Sequence, residues 1–157
     1  MLTLAVLRLL PGVVSGDGSV LFSQTIPTLN RGGGDAILAA TAAPISSLIG
    51  RAQAEGLAVN GVGVGSAGVI DADHGVVVSA TDAILGWAGT EPTAGLAARL
   101  GMEPEAVRAV NDVHAHALGE AWTGAAAGTE SSLLGAYGTR PPRRTPAGFG
   151  RTSRSPR

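Results

Sequence analysis

The 157-residue sequence has no cysteine and, among its eleven cationic side chains, no lysine. Without cysteine, disulfides, zinc–thiolate centres and iron–sulfur clusters are excluded. Aromatic residues are scarce, with two Phe, two Trp and one Tyr. That is too few for a platform on which the bases of single-stranded nucleic acid would stack. No apolar run approaches the roughly 18 residues needed to span a bilayer. Only 15% of residues are charged, whereas 45% are hydrophobic. A chain of this length and composition can bury a core, as one domain or one lobe of something larger.

The net charge of −1 hides a division. Residues 1–139 carry five Arg against twelve acids, and residues 140–157 carry six Arg and no acid. The opening Met1-Leu-Thr-Leu-Ala-Val-Leu-Arg8 has no basic region ahead of its apolar stretch and no Ala-x-Ala site after it. It therefore reads as a strand rather than a signal peptide, and a cytoplasmic location is expected.

Leu2–Val6 and Gly12–Ser15 read as strands, and Gly16-Asp-Gly-Ser19 as a tight hairpin turn leading to a strand over Val20–Thr25. Asp35 stands near a helix N-cap. Ile37, Leu38, Ala42, Ile45, Leu48 and Ile49 recur at helical spacing over Ala36–Glu55. Pro44 is expected to kink or split that helix, since it removes a backbone donor. Leu57–Val64 reads as a strand buried on both faces. Val69-Ile70 and Val76–Val78 flank Asp71-Ala-Asp-His-Gly75 as another hairpin. Pro92 opens a short helix to about Leu100, Val107–Val110 is a strand, and Asp112 to about Ala125 is a helix. Ser131–Tyr137 is a last strand. The order predicts an α/β fold with a mixed sheet. Residues 140–157, with four Pro and no aliphatic side chain larger than alanine, are expected to be disordered.

Gly63-Val-Gly-Ser-Ala-Gly68 has the G-x-G-x-x-G spacing of a dinucleotide loop. That chemistry needs a helix to start there, and the residues after it predict strand and turn. A close backbone approach at a ligand cleft, or tight strand packing, are the readings left. Ser66 is not in a nucleophile elbow, because Val64 stands where that motif needs Gly. Asn111-Asp112 ends a strand where a helix begins, a place where open α/β sheets bind ligands. Equally, Asp112 could simply cap the helix. Asp112, His116 and Glu120 share a helical face; an ion pair explains that spacing without a metal, for which two ligands and a cap are too few. Trp87 reads as a core or lid aromatic.

Three stretches in order resemble the ROK family of bacterial sugar kinases and sugar-responsive repressors. They are Gly61-Val-Gly-Val-Gly-Ser-Ala-Gly-Val-Ile-Asp71, Gly75-Val-Val-Val-Ser-Ala-Thr-Asp-Ala-Ile-Leu-Gly-Trp87 and Val110-Asn-Asp-Val-His-Ala-His-Ala-Leu-Gly-Glu-Ala-Trp122. The resemblance runs from about Val20 to about Tyr137. It implies an actin-like, ribonuclease-H-like fold, of which residues 1–139 would be the N-terminal, sugar-facing lobe. By the same resemblance Asp112 is the catalytic carboxylate that takes the proton of a sugar hydroxyl as it attacks ATP. Asn111 would bind sugar hydroxyls, and Gly65, Ser66, Ala67, Gly68, Thr81 and Asp82 would line the sugar pocket. Many relatives carry Asn at the position of Asp82.

The departures also bear on function. Val6-Leu-Arg-Leu-Leu-Pro-Gly12 stands where the family has an Asp-x-Gly-Gly-Thr phosphate loop. After Tyr137-Gly-Thr139, where a second glycine-rich phosphate loop is expected, the Arg/Pro tail begins. The family's later histidine, downstream glutamate and zinc cysteines have no counterpart. GC-rich, glycine-coding DNA read out of phase yields Arg, Pro, Ala and Gly, so the tail reads as a frameshift product of a truncated kinase. A basic tail for nucleic acid is the competing reading. ATP and Mg belong to the intact family and are not expected to bind productively here. The expected partner is a small sugar, with no membrane role, and intact relatives often oligomerise. A non-catalytic sugar-binding or regulatory module, as in the family's repressors, is the alternative function.

Overall fold

The structure is a computed structural model and describes residues 8–27, 32–81 and 84–135. The predicted strand Leu2–Val6, Asp82, Tyr137 and the tail lie outside the described residues. The elements in chain order are β1 (Arg8–Leu9), β2 (Gly12–Val14), β3 (Val20–Ser23), β4 (Ile26–Pro27) and α1 (Gly33–Ala54). They continue with β5 (Val62–Ser66), β6 (Val69–Asp71), β7 (Val76–Ser79), α2 (Pro92–Leu100), β8 (Val107–Asn111) and α3 (Asp112–Thr123).

Among the described residues the strands form four two-stranded pairs, parallel and antiparallel, in keeping with the expected mixed α/β fold. β1 pairs with β4, β2 with β3 and β6 with β7, all antiparallel, whereas β5 and β8 run parallel. The β5–β8 pair is joined by a crossover through β6, β7 and α2, as parallel neighbours require.

The hairpin between β2 and β3 is built by its turn chemistry. Ser15 N–H donates to Ser19 O at 3.0 Å, closing a three-residue loop in place of the two-residue one the sequence suggests. Gly18 takes φ 86°, and Asp17 Oδ1 accepts from Ser19 N–H at 3.1 Å. A left-handed Gly after such a turn shifts the ladder, consistent with the irregular register between Val13 and Val14. The β6–β7 turn is the one the sequence suggests. Asp71 Oδ1 accepts from the N–H groups of Asp73 and His74, both at 3.1 Å, and Gly75 takes φ 68°.

α1 runs unbroken through Pro44, so of the expected kink or split the split does not occur. Pro44 itself is buried, together with Ile37, Leu38, Ala42, Leu48 and Ala52. One continuous apolar face on both sides of the proline outweighs its missing backbone bond. The N-cap is Gly32 rather than Asp35. Asp35 instead lies in the first turn and forms an ion pair with Arg99 of α2.

The core joins Ile37, Leu38 and Ala42 of α1, Leu96 and Ala97 of α2, Val77 of β7, Val107 of β8 and Trp87. Val62 and Val64 of β5 pack against it. Their neighbours Gly63 and Gly65 point to the other face, where they remain exposed. The glycine face meets α3: a Cβ on Gly65 would stand 2.9 Å from the Ala115 Cβ. The β5–β8 pair therefore lies between α1 and α2 on one side and α3 on the other. Residues 131–135, expected as strand, take no regular structure.

Candidate functional site

The site grows from the carboxyl ends of β5 and β8, which pair in register from Val62 with Val107 to Ser66 with Asn111. Beyond Ser66 the chain turns sharply through Ala67 and Gly68 into β6. No helix starts there, so the phosphate-binding geometry of a dinucleotide loop is not formed. Beyond Asn111 the chain enters α3 directly.

Asn111 ties these two exits together. Its Nδ2 donates to Gly68 O at 2.8 Å, and its Oδ1 accepts from Val113 N–H at 2.9 Å. Asn111 is thus the N-cap of α3, a role that the sequence left open for Asp112. Asp112 Oδ1 also lies 2.9 Å from Val113 N, but its carboxylate is on the exposed side of the first turn. An acid there is favoured by the unpaired N–H groups and dipole of the helix end.

Gly68 links the third segment. Its φ is 109°, and a Cβ would stand 2.7 Å from Ser79 O and 3.5 Å from the Ala80 Cβ. The β7 exit that leads to Thr81 therefore packs on the Gly65–Gly68 turn. Thr81 is exposed, and its carbonyl accepts from Ile84 N–H at 3.3 Å. Asp82, expected beside it, lies outside the described residues.

Trp87 supplies a support the sequence did not reveal. It is 4% exposed, and its Nε1–H lies 3.0 Å from Ser66 Oγ and 3.2 Å from Ala67 O. Ser66, proposed from resemblance as a sugar contact, has its hydroxyl turned toward this indole. A buried indole N–H needs an acceptor, which makes Trp87 a clamp on the turn as well as a core residue. The 21 residues separating the pair leave no local signal.

His116 Nε2 lies 3.8 Å from Glu120 Oε1, one turn apart on the exposed face of α3. Among the described residues no three His, Asp or Glu side chains gather closely enough to hold a metal ion. Two depressions in the described surface, about 570 and 1130 Å³, lie away from Asn111, Asp112 and Gly68.

The ROK family model matches residues 12–139. The chain belongs to the ROK family. Among solved structures it is similar to the inorganic polyphosphate/ATP-glucomannokinase of Arthrobacter sp. strain KM, at 32% identity and a TM-score of 0.56. That match covers 75% of this chain and 45% of the glucomannokinase. The ROK hexokinase of Thermus thermophilus matches at 25% identity and a TM-score of 0.55, over 73% of this chain and 35% of the hexokinase. No curated protein sequence matches. The fold is the actin-like α/β fold of ROK sugar kinases, and the chain spans less than half the length of these relatives. None of the described helices is long and apolar enough to cross a membrane.

Proposed function

We propose that this ROK chain holds the sugar side of a kinase site, with Asp112 facing the reacting hydroxyl, and does not by itself transfer phosphate. The observation that supports this most is the Asn111–Gly68 hydrogen bond at 2.8 Å. It brings the exposed Asp112, the Gly65–Gly68 turn and the approach to Thr81 into one neighbourhood. An exposed carboxylate at a helix start can accept a hydrogen bond from a sugar hydroxyl and draw off its proton. One Nδ2 hydrogen and one Oδ1 lone pair of Asn111 are left over for neighbouring hydroxyls.

The residues present do not fit ATP with magnesium. Phosphate loops cradle oxygens with successive backbone N–H groups, which Leu10-Pro11-Gly12 cannot supply, because Pro11 has no N–H. No acidic cluster suited to magnesium occurs among the described residues. No phosphoryl-transfer step is therefore assigned to this chain. Sugar binding without turnover would also suit a regulatory role.

Titration with glucose, N-acetylglucosamine and N-acetylmannosamine, followed by amide NMR shifts, tests the reading. Saturable shifts at Gly65–Gly68, Asn111 and Asp112 are expected for at least one sugar. A folded sample with no shift for any of the three would remove the sugar site.

A further inference from the structure

Trp87 lies in the core with Leu38, Val77, Leu96 and Val107. Apolar packing alone makes no use of an N–H, whereas a buried indole must find an acceptor for it. Both acceptors of Trp87 Nε1–H are on the Gly65–Gly68 turn, Ser66 Oγ at 3.0 Å and Ala67 O at 3.2 Å. The Ser66 hydroxyl in turn donates to Ala67 O at 3.3 Å, inside the same turn.

The next carbonyl of that turn, Gly68 O, accepts from Asn111 Nδ2 at 2.8 Å. Two consecutive carbonyls are therefore held from two sides, one by the loop after β7 and one by the end of β8. Trp87 is itself fixed at both flanks. Gly86 takes φ 67°, and a Cβ there would stand 3.2 Å from Gly33 Cα at the start of α1. On the other flank, Gly89 N–H donates to Val77 O and Val77 N–H donates to Thr90 O, both at 2.8 Å. The indole thus reaches the turn from an anchored support.

We propose that Trp87 is a positioning residue for sugar binding. Its N–H holds the Gly65–Gly68 turn where Asn111 can grip Gly68 O, cap α3 and present Asp112. This role rests on the sugar reading above and adds to it a residue that, at 4% exposed, acts through the turn rather than on the ligand. Hydrogen bonds weaken steeply as their angles depart from linear, so a turn free to rock would offer a sugar poorly aimed partners. Linkage makes the effect reciprocal: if the indole bond favours sugar binding, bound sugar favours the indole bond by the same factor.

The experiment removes the N–H and keeps the ring. The parent is the full chain with Trp122→Phe, an exposed position, which leaves Trp87 as its one tryptophan. The altered chain carries benzothienylalanine, with sulfur in place of the indole N–H, at position 87. Glucose, N-acetylglucosamine and N-acetylmannosamine are the probes. At least one should bind the parent and, at saturation, slow exchange of Trp87 Nε1–H about fivefold, the worth of one buried hydrogen bond. The same sugar should bind the altered chain about fivefold more weakly. Without sugar, Val113 N–H, which Asn111 Oδ1 accepts, should exchange faster in the altered chain. A role in packing alone is met by the analogue ring and would move none of these. A sugar that binds both chains equally would overturn the positioning role. So would one that shifts Asn111 in the parent but leaves Trp87 Nε1–H exchange unchanged. That comparison needs no change at Trp87 and decides the matter if the altered chain does not fold. Failure of all three sugars to bind the parent would instead remove the sugar reading, and this role with it.

Discussion

At Gly68 the backbone itself decides which residue can stand. A φ of 109° is open to glycine, and the missing Cβ is what lets Ser79 O approach. Gly68→Ala is expected to cost about 1–3 kcal/mol from backbone strain, and the contact with Ser79 O adds to that cost. Gly63 provides the contrast, because its position has open space and an ordinary φ. Gly63→Ala should change stability by less than about 0.5 kcal/mol, and paired urea melts would show the difference. A second residue-scale test concerns the β6–β7 turn. The His74 side chain, 2.7 Å from Asp71 Oδ2, and then the His74 N–H hold the Asp71 carboxyl below its usual 3.8. A depressed carboxyl stabilises the fold above its unfolded pKa, and that contribution is lost as pH falls through the folded value. His74→Ala should therefore move the Asp71 titration upward in carbon-detected NMR and shrink the stability change below about pH 4. An unchanged Asp71 titration would show that the histidine contact is not what sets it.

At the scale of elements, α3 depends on the residue before it. Asn111 caps the helix and reaches across to Gly68 O, so one side chain stabilises both a helix start and a turn. Asn111→Ala should cost about 1 kcal/mol for the cap and about 1 kcal/mol more for the lost cross-segment bond. Asp112→Asn removes charge from the first turn but not the cap. Its cost should stay within about 0.3–1 kcal/mol, the usual worth of an acid at a helix start. Thermal unfolding of the two variants side by side checks the order. If Asp112→Asn proved the more damaging, Asp112 rather than Asn111 would be the cap in solution.

At the scale of the whole molecule, membership of the family does not by itself carry the family's activity. The chain belongs to the ROK family and carries the actin-like fold, yet it spans 45% or less of the sugar kinases it matches. Catalysis of phosphoryl transfer rests on holding the transferring group and its charge in place. A polypeptide with these 157 residues is expected to give no ATP-dependent phosphorylation of glucose, N-acetylglucosamine or N-acetylmannosamine in a coupled ADP assay. Turnover above background that disappears in Asp112→Asn would overturn this and restore a catalytic role to the carboxylate. A folded lobe that binds sugar without turnover would be the regulatory outcome.

Local pattern was enough to place α2, α3, β8 and the Asp71–Gly75 hairpin. Each of these rests on contacts within a few residues: Pro92 in the first turn, the Asp71 carboxylate on the next N–H groups, and apolar residues at one period. The order of the three glycine- and Asn-Asp-bearing stretches likewise carried the family before any fold was drawn. Three features were decided only by tertiary structure. Pro44 is accommodated because the helix on both sides of it is buried, and a proline's local cost says nothing about the face it lies on. The cap is Asn111 rather than Asp112 because Gly68, 43 residues earlier, offers a carbonyl to the asparagine amide, which a carboxylate could not donate to. Which strands pair, β5 with β8 in parallel and the others antiparallel among the described residues, is the third feature. Strand alternation identifies which faces a strand can bury, but pairing depends on which edge arrives beside it, and that is set by segments distant in the chain.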